Sequence, residues 1–247
     1  MMKRIYVIAG GTLVHIAPHF ALCAPAFGTV GREIYGELQN LCAFDKHKVH
    51  LVETRMAEKT DRCSWVQSLF DQLGIKHLET NEDLEKFLGL LKDREDTRGI
   101  VLSSAVCDFE PCELKVTDGE TGEVTESVTE FGKGQERLSS KLEYLLELTS
   151  SDKVIQTIRS EREDIFLVGF KTTAGTTSED TYLRGLKLLR DSSANLVFAN
   201  DIRNKTNMIV TPEEVPCSFE DRRSAVRNLC EMMFSRLQDE SGSAHAN

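Results

Sequence analysis

Four short polar clusters hold most of this chain's capacity for chemistry, and each follows an apolar run. They are Gly10-Gly11-Thr12, Ser103-Ser104-Ala105-Val106-Cys107-Asp108-Phe109, Gly169-Phe170-Lys171-Thr172-Thr173-Ala174-Gly175 and Ala199-Asn200-Asp201. Clusters at the carboxyl ends of strands are where an open α/β sheet builds a ligand site. Asp108 and Asp201 suit ribose hydroxyls, a base amino group or a water-bridged Mg²⁺, although a single Asp also suits a turn. Lys171 suits a phosphate, or plain solvent. A fifth segment, Gly132 to Lys141, concentrates Lys133, Arg137 and Lys141 among small residues in an acidic protein. It reads as a triphosphate clamp or as a solvated loop.

The opening stretch, from Gly10-Gly11-Thr12 to Gly28-Thr29-Val30-Gly31, lies between the apolar run Ile5–Ile8 and an amphipathic segment from Arg32 to Phe44. That order is strand, glycine-bounded loop, helix, and a helix start attracts anions through its unpaired N–H groups. Neither Gly-x-Gly-x-x-Gly nor a Gly-Lys-Ser/Thr ending is present, so no dinucleotide or P-loop fingerprint applies. Seven cysteines are scattered without a Cys-x-x-Cys pair and read as reduced thiols, with Cys107 and Cys112 flanking Asp108.

Composition narrows the partners. A formal charge of -10 over 247 residues disfavours nucleic acid and anionic membrane surfaces. No apolar run approaches bilayer length. Met1-Met2-Lys3-Arg4 leads into a short strand pattern rather than a signal-peptide core, so a cytoplasmic protein is expected.

The elements that must position the clusters follow from hydrophobic period. Strands are expected at Ile5–Ile8, His47–Glu53, Gly99–Ser103, Ile165–Phe170, Asn195–Ala199 and Asn207–Val210. Helices are expected over Arg32–Phe44, over Trp65–Leu73 with Gly74 as stop, from an Asn81 cap through Leu91, over Asp152–Ile158, from Ser178 through Leu189, and from a Ser218-x-x-Asp221 box to Leu237. This alternation predicts an α/β fold with a mainly parallel sheet and right-handed crossovers. Glu113 to Thr129 carries Asp118-Gly119 and Thr121-Gly122 between Thr/Val-rich flanks, a signal for a protruding β-hairpin arm over 113–130. One domain over 1–240 with a disordered polar tail over 241–247 is the economical organisation.

The segments AGGT, SSAVCDFEP (Ser103 to Pro111), RLSSK (Arg137 to Lys141), LVGFKTTA (Leu167 to Ala174), ANDI and NMIV, in this order, resemble the phosphopantothenate–cysteine ligase family. The resemblance runs from about Lys3 to Leu237. It implies a Rossmann-like three-layer αβα homodimer. It also implies CTP or ATP as cosubstrate, with Mg²⁺, activating a carboxylate as an acyl-nucleotide that an amine such as cysteine attacks. Gly10, Gly11, Thr12, Ser104, Ala105, Asp108, Phe170, Asn200 and Asp201 would then bind nucleotide. Arg137 stands where the family has a triphosphate-contacting Lys, and with Lys171 and His19 makes up the expected catalytic set. Ala24 and Gly28 belong to the substrate loop, where the chain departs from the family. The Asp-Pro pair reads Ala17-Pro18, an Arg is Phe20, an acyl-contacting Asn is Ala24, and Ser-Ser-Gly-Lys reads Ala26-Phe27-Gly28-Thr29. His15 and His19 are additions there. Two alternatives stay open: a non-catalytic nucleotide-binding homologue, and a ligase for a different carboxylate. A Rossmann-like oxidoreductase is the weakest option.

Overall fold

The structure is a computed structural model that describes residues 2–43, 45–59 and 61–243. In chain order its elements are β1 (Lys3–Ala9), β2 (Leu13–Ala17), β3 (Phe20–Cys23), α1 (Thr29–Leu41), β4 (His47–Glu53), α2 (Ser64–Leu73), α3 (Asn81–Lys92), β5 (Thr97–Leu102) and β6 (Phe109–Thr117). There follow β7 (Val124–Val128), β8 (Glu143–Ser150), α4 (Gln156–Glu161), β9 (Phe166–Thr173), α5 (Ser178–Ser192), β10 (Leu196–Asp201), β11 (Asn207–Val210), β12 (Cys217–Phe219) and α6 (Arg222–Ser243).

A seven-stranded sheet in the order β12-β11-β10-β9-β5-β1-β4 forms the middle layer. The five strands from β10 to β4 are parallel, and β11 and β12 run antiparallel at one edge. These strands are apolar on both faces because helices cover both. Along β1 the period of two sends Tyr6 and Ile8 into a core with α2, α3, α4 and α5. Ile5 and Val7 go into a second core with α1 and α6. The predicted three-layer αβα fold is what forms.

Helix ends obey local chemistry, with small shifts from the expected positions. Thr80, not Asn81, caps α3: its hydroxyl accepts from Asp83 N, and Asp83 returns a bond to the Thr80 N–H. Asp221 alone caps α6, through Ser224 N at 2.8 Å, because Ser218 is in β12. Gly74 ends α2 in the left-handed conformation. α1 starts at Thr29 and ends at Leu41, short of the expected Phe44, which lies outside the described residues. α6 continues to Ser243, so Ser241–Ser243 extend a helix rather than open a tail, and 244–247 lie outside the described residues.

Besides the short β12, two features went unread in the sequence. The opening loop is itself a hairpin, with β2 and β3 paired from Leu13↔Cys23 to Ala17↔Phe20 around the turn Pro18-His19. The arm has three strands in the order β7-β6-β8, because β8 returns antiparallel along β6 from Thr117↔Glu143 to Phe109↔Ser150. Among the described residues no helix is long and apolar enough to cross a membrane.

Candidate functional site

The chain starts at β1, places β4 on one side of it and β5 on the other. That reversal opens a crevice beyond the carboxyl ends of β1 and β5, the usual place for a ligand in a doubly wound sheet. A cavity of about 580 Å³ occupies it. One wall is the stretch Pro25–Gly31 leading into α1. The others are the loop Leu102–Asp108 after β5, the segment Asp152–Ile155 after β8, and the ends of β9 and β10.

The first wall owes its shape to two glycines. Gly28 caps α1 at φ 72°, a conformation costly for other residues, and offers no side chain to close the helix start. A Cβ at Gly31 would lie 2.4 Å from Ala9 Cβ and 2.7 Å from Ser103 Oγ. Its absence lets α1 press against β1 and point its first N–H groups at the crevice. No acidic residue occupies the first turn of α1, so the positive end of the helix dipole is left for an anion. Arg32 secures the lip by donating to the Phe27 carbonyl at 2.6 Å and by pairing with Glu53.

The second wall is tied down from the side. Ala105 N donates to Gly10 O at 2.8 Å, and Thr12 N to Ala105 O at 3.0 Å. Thr12 Oγ1 donates to Asn81 Oδ1 at 2.6 Å and accepts from Cys107 N at 2.9 Å. Asn81 Nδ2 completes the knot on Cys107 O at 2.9 Å. Within the loop thus held, Ser104 Oγ is buried and has no hydrogen-bond partner, although it belongs to the cavity wall. A buried orphan hydroxyl of this kind is a place for a ligand's polar atom.

From β9 and β10, Phe170 presents its ring to the cavity, stacked on Phe198 at 5.3 Å between centroids. Asn200 lines the same wall, its Oδ1 accepting from Thr172 Oγ1 at 3.0 Å. Lys171 and Arg222 line it as well and make no ion pair among the described residues. Asp108 is paired with Lys153 across the cavity mouth. Lys153 and Arg222 are contributors the sequence reading missed. Only their charge type was visible, because each comes from an element far from the motifs.

Several expected site residues have other roles. Asp201 is 1% exposed and its carboxylate accepts from Gly175 N at 3.0 Å, Thr176 N at 2.9 Å, Asn204 N at 2.8 Å and Thr173 Oγ1 at 2.9 Å. Burial raises its pKa, but these donors outweigh burial and hold the carboxyl well below the usual range. It knits two turns and has no capacity left for a nucleotide. Thr12 is likewise spent in the knot, and Gly10, at φ 111° against Thr54, and Gly11, against the Ala24 carbonyl, allow close backbone approach instead of lining the cavity. Ala24 is held to Thr12 O at 3.0 Å, just outside it. His19 is exposed at the tip of the β2–β3 hairpin, and Arg137 is exposed in the segment between β7 and β8. Neither touches the cavity. Ser104, Ala105, Asp108, Gly28, Phe170, Lys171 and Asn200 do come together there.

Behind the Thr12–Asn81–Cys107 knot lies a second, more open cavity of about 890 Å³ bounded by His15, Arg55, Glu79 and Lys133. Its floor is Glu79, paired with Arg55 at 2.9 Å and with Lys133. Burial pushes the Glu79 pKa up, but the Lys133 and Arg55 contacts outweigh it and keep the carboxyl below its ordinary value. This ionised group has its cations already, and the pairing anchors the cationic Gly132–Lys141 segment at its start. All seven cysteines are free. Burial pushes Cys42 up to about 11 and Cys230 up to about 12, so neither acts as a nucleophile at neutral pH.

Fold and cleft define a Rossmann-like α/β protein with a cavity at the sheet's topological switch point and a three-stranded arm. No family model matches the chain. The coenzyme A biosynthesis bifunctional protein CoaBC of Thermococcus kodakarensis is 26% identical over 201 residues, covering 81% of this chain and 42% of that protein. The chain therefore spans less than half the length of this curated relative. Among solved structures, the DNA/pantothenate metabolism flavoprotein of Streptococcus pneumoniae superposes with a TM-score of 0.67 at 21% identity, over 97% of this chain and 100% of that one. The C-terminal domain of a coenzyme A biosynthesis bifunctional protein CoaBC gives 0.63 at 17% identity, over 96% of each chain. A Cab2 variant in complex with phosphopantothenate-cysteine gives 0.62 at 13% identity, over 98% of this chain and 88% of that one. The resemblance to the phosphopantothenate–cysteine ligase family stands on sequence and on fold.

Proposed function

We propose that the chain is a nucleotide-dependent carboxylate–amine ligase of the coenzyme A type, using CTP or ATP to activate a carboxylate. The observation that carries this reading is the convergence of Ser104, Ala105, Asp108, Phe170 and Asn200, from three strand ends, on one cavity at the α1 start. Phe170 offers a base an apolar face backed by Phe198. Asn200 and the orphan Ser104 hydroxyl offer polar contacts to base and sugar. The α1 N–H groups with Lys171 face the phosphates, where they lower the cost of charge developing at the α-phosphorus. The carboxylate attacks that phosphorus and pyrophosphate leaves. The amine then attacks the acyl carbon and the nucleoside monophosphate departs.

Of the cleft's two carboxylates, Asp108 is the acceptor for sugar or base, and Asp152 would hold, through its waters, a Mg²⁺ brought in with the triphosphate. Among the described residues no cluster of three His, Cys, Asp or Glu could hold a metal. Mg²⁺ bound with the triphosphate would neutralise its charge. Arg137 and His19 reach a bound substrate only through movement or from a second copy. We propose a homodimer formed through the arm, supported by the exposed Leu142, Leu145 and Leu148 on and beside its edge strand.

The test is pyrophosphate release from CTP or ATP with phosphopantothenate and cysteine. Turnover establishes the reading; tight nucleotide binding without turnover removes the native-substrate version. A second reading, a nucleotide-binding homologue without ligase chemistry or one with another acyl substrate, is favoured by the lip Pro25-Ala26-Phe27. There the side chains are apolar, and Phe27 is 63% exposed. Acyl-nucleotide formation across a panel of carboxylates separates the two forms of that reading.

A further inference from the structure

We infer that Lys153 is a phosphate-binding residue of the cleft, parked on Asp108 until a nucleotide takes both partners apart. The inference rests on the nucleotide reading above and adds a residue that no family motif assigns. Asp108 and Lys153 both line the cavity and pair with each other, yet the pair is not needed to hold their loops together. Ser151 N donates to Asp108 O at 2.9 Å, and the β6–β8 ladder ends on Phe109↔Ser150. These backbone bonds fix the two segments side by side whatever the side chains do. The side chains themselves are 63% and 53% exposed, and an ion pair that open to water contributes little to stability. It is therefore cheap to exchange.

The surroundings say what it would be exchanged for. The cationic groups of the cavity are Lys153, Lys171 and Arg222, and its carboxylates are Asp108 and Asp152. The α1 start adds further positive character. A nucleoside polyphosphate brings hydroxyls that need an acceptor and oxygens that need cations. Asp108 and Lys153 are then each better satisfied by the ligand than by one another. Asp108 turns to the sugar or base and Lys153 to a phosphate, so that neither side chain is left without a partner.

Calorimetric titration of nucleoside, monophosphate and triphosphate, in cytidine and adenosine series, tests this on wild type, Lys153→Met, Lys153→Arg and Asp108→Asn. Lys153→Met should weaken triphosphate binding about tenfold to a hundredfold, the worth of one charge-assisted hydrogen bond, and leave nucleoside within about twofold. Lys153→Arg should restore most of the loss. Asp108→Asn should weaken nucleoside while keeping or raising the preference for triphosphate, because it frees Lys153. Equal losses for nucleoside and triphosphate in Lys153→Met, or none, overturn the assignment while the nucleotide reading stands. Wild type that binds no nucleotide removes both. Both positions are exposed, and matching circular dichroism spectra confirm that the variants fold.

Discussion

Two glycines five residues apart on α1 give a controlled test of how the helix is seated. A Cβ at Gly36 would meet no heavy atom within 4 Å, whereas at Gly31 it would sit 2.4 Å from Ala9 Cβ. Gly36→Ala adds helix propensity without a clash and should stabilise the protein by ~0.5–1 kcal/mol. Gly31→Ala gains the same propensity, but ordinary contact needs roughly 3.4 Å or more, so the helix start must retreat by about 1 Å. Overpacking of that kind costs ~1–3 kcal/mol, leaving a net destabilisation of up to ~2 kcal/mol and a clear gap below Gly36→Ala. Urea denaturation followed by circular dichroism reads the difference as a shift in midpoint at unchanged slope. Because the displaced end is the one that faces the cavity, Gly31→Ala should also weaken nucleotide binding while Gly36→Ala does not. Equal stabilities for the two variants would refute the close seating of α1 on β1.

Thr12→Val removes the hydroxyl on which Cys107 N and Asn81 depend and should cost ~1–3 kcal/mol through unpaired buried groups, measured by denaturation. Loosened loop 103–108 should lower nucleotide affinity with it. Asp201 has a depressed folded pKa, so its stabilising effect is complete above the unfolded value near 4 and drains away as pH falls toward the folded one. Asp201→Asn should lower stability at pH 7 and flatten that acid limb; an unchanged limb refutes the network's role. Burial first, then Arg4 and Lys48, push His50 down to about 4. The unfolded chain binds its proton near pH 6.5, so stability should fall on acidification from about 6.5 to 4, by on the order of 3 kcal/mol. His50→Gln should be flat across that window. Arg137→Ala should reduce triphosphate binding more than monophosphate binding if the clamp closes, and equal effects would dismiss it.

The fold was largely legible because burial on both faces leaves a plain signal. Continuous apolar runs gave four of the five parallel strands within two or three residues, and β4 and the antiparallel β11 at their observed limits. What escaped was structure without its own core signal. Leu13–Ala17 alternates weakly and becomes β2 only by pairing with Phe20–Cys23. β8, with Leu145 54% exposed, is set by β6 across the long excursion between Thr117 and Glu143 rather than by its own pattern. Caps were misplaced by a residue or so, since Thr80 and Asn81 are both capping types, Asn the better on average, and only geometry selects one.

By itself the sequence determined the strand–helix alternation, hence a doubly wound sheet, and the polar clusters that such a sheet must collect at one edge. Those are local consequences of side-chain period and chain connectivity. Tertiary structure alone decided which polar groups remain available. Asp108 and Asp201 look alike in sequence, each after an apolar strand. The donors of Gly175, Thr176 and Asn204 consume Asp201 inside two converging turns, while the Asp108 carboxylate stays at the cavity mouth paired with the exposed Lys153. A carboxylate's capacity to bind is what its neighbours leave unspent, and those neighbours come from chain segments that only folding brings within reach.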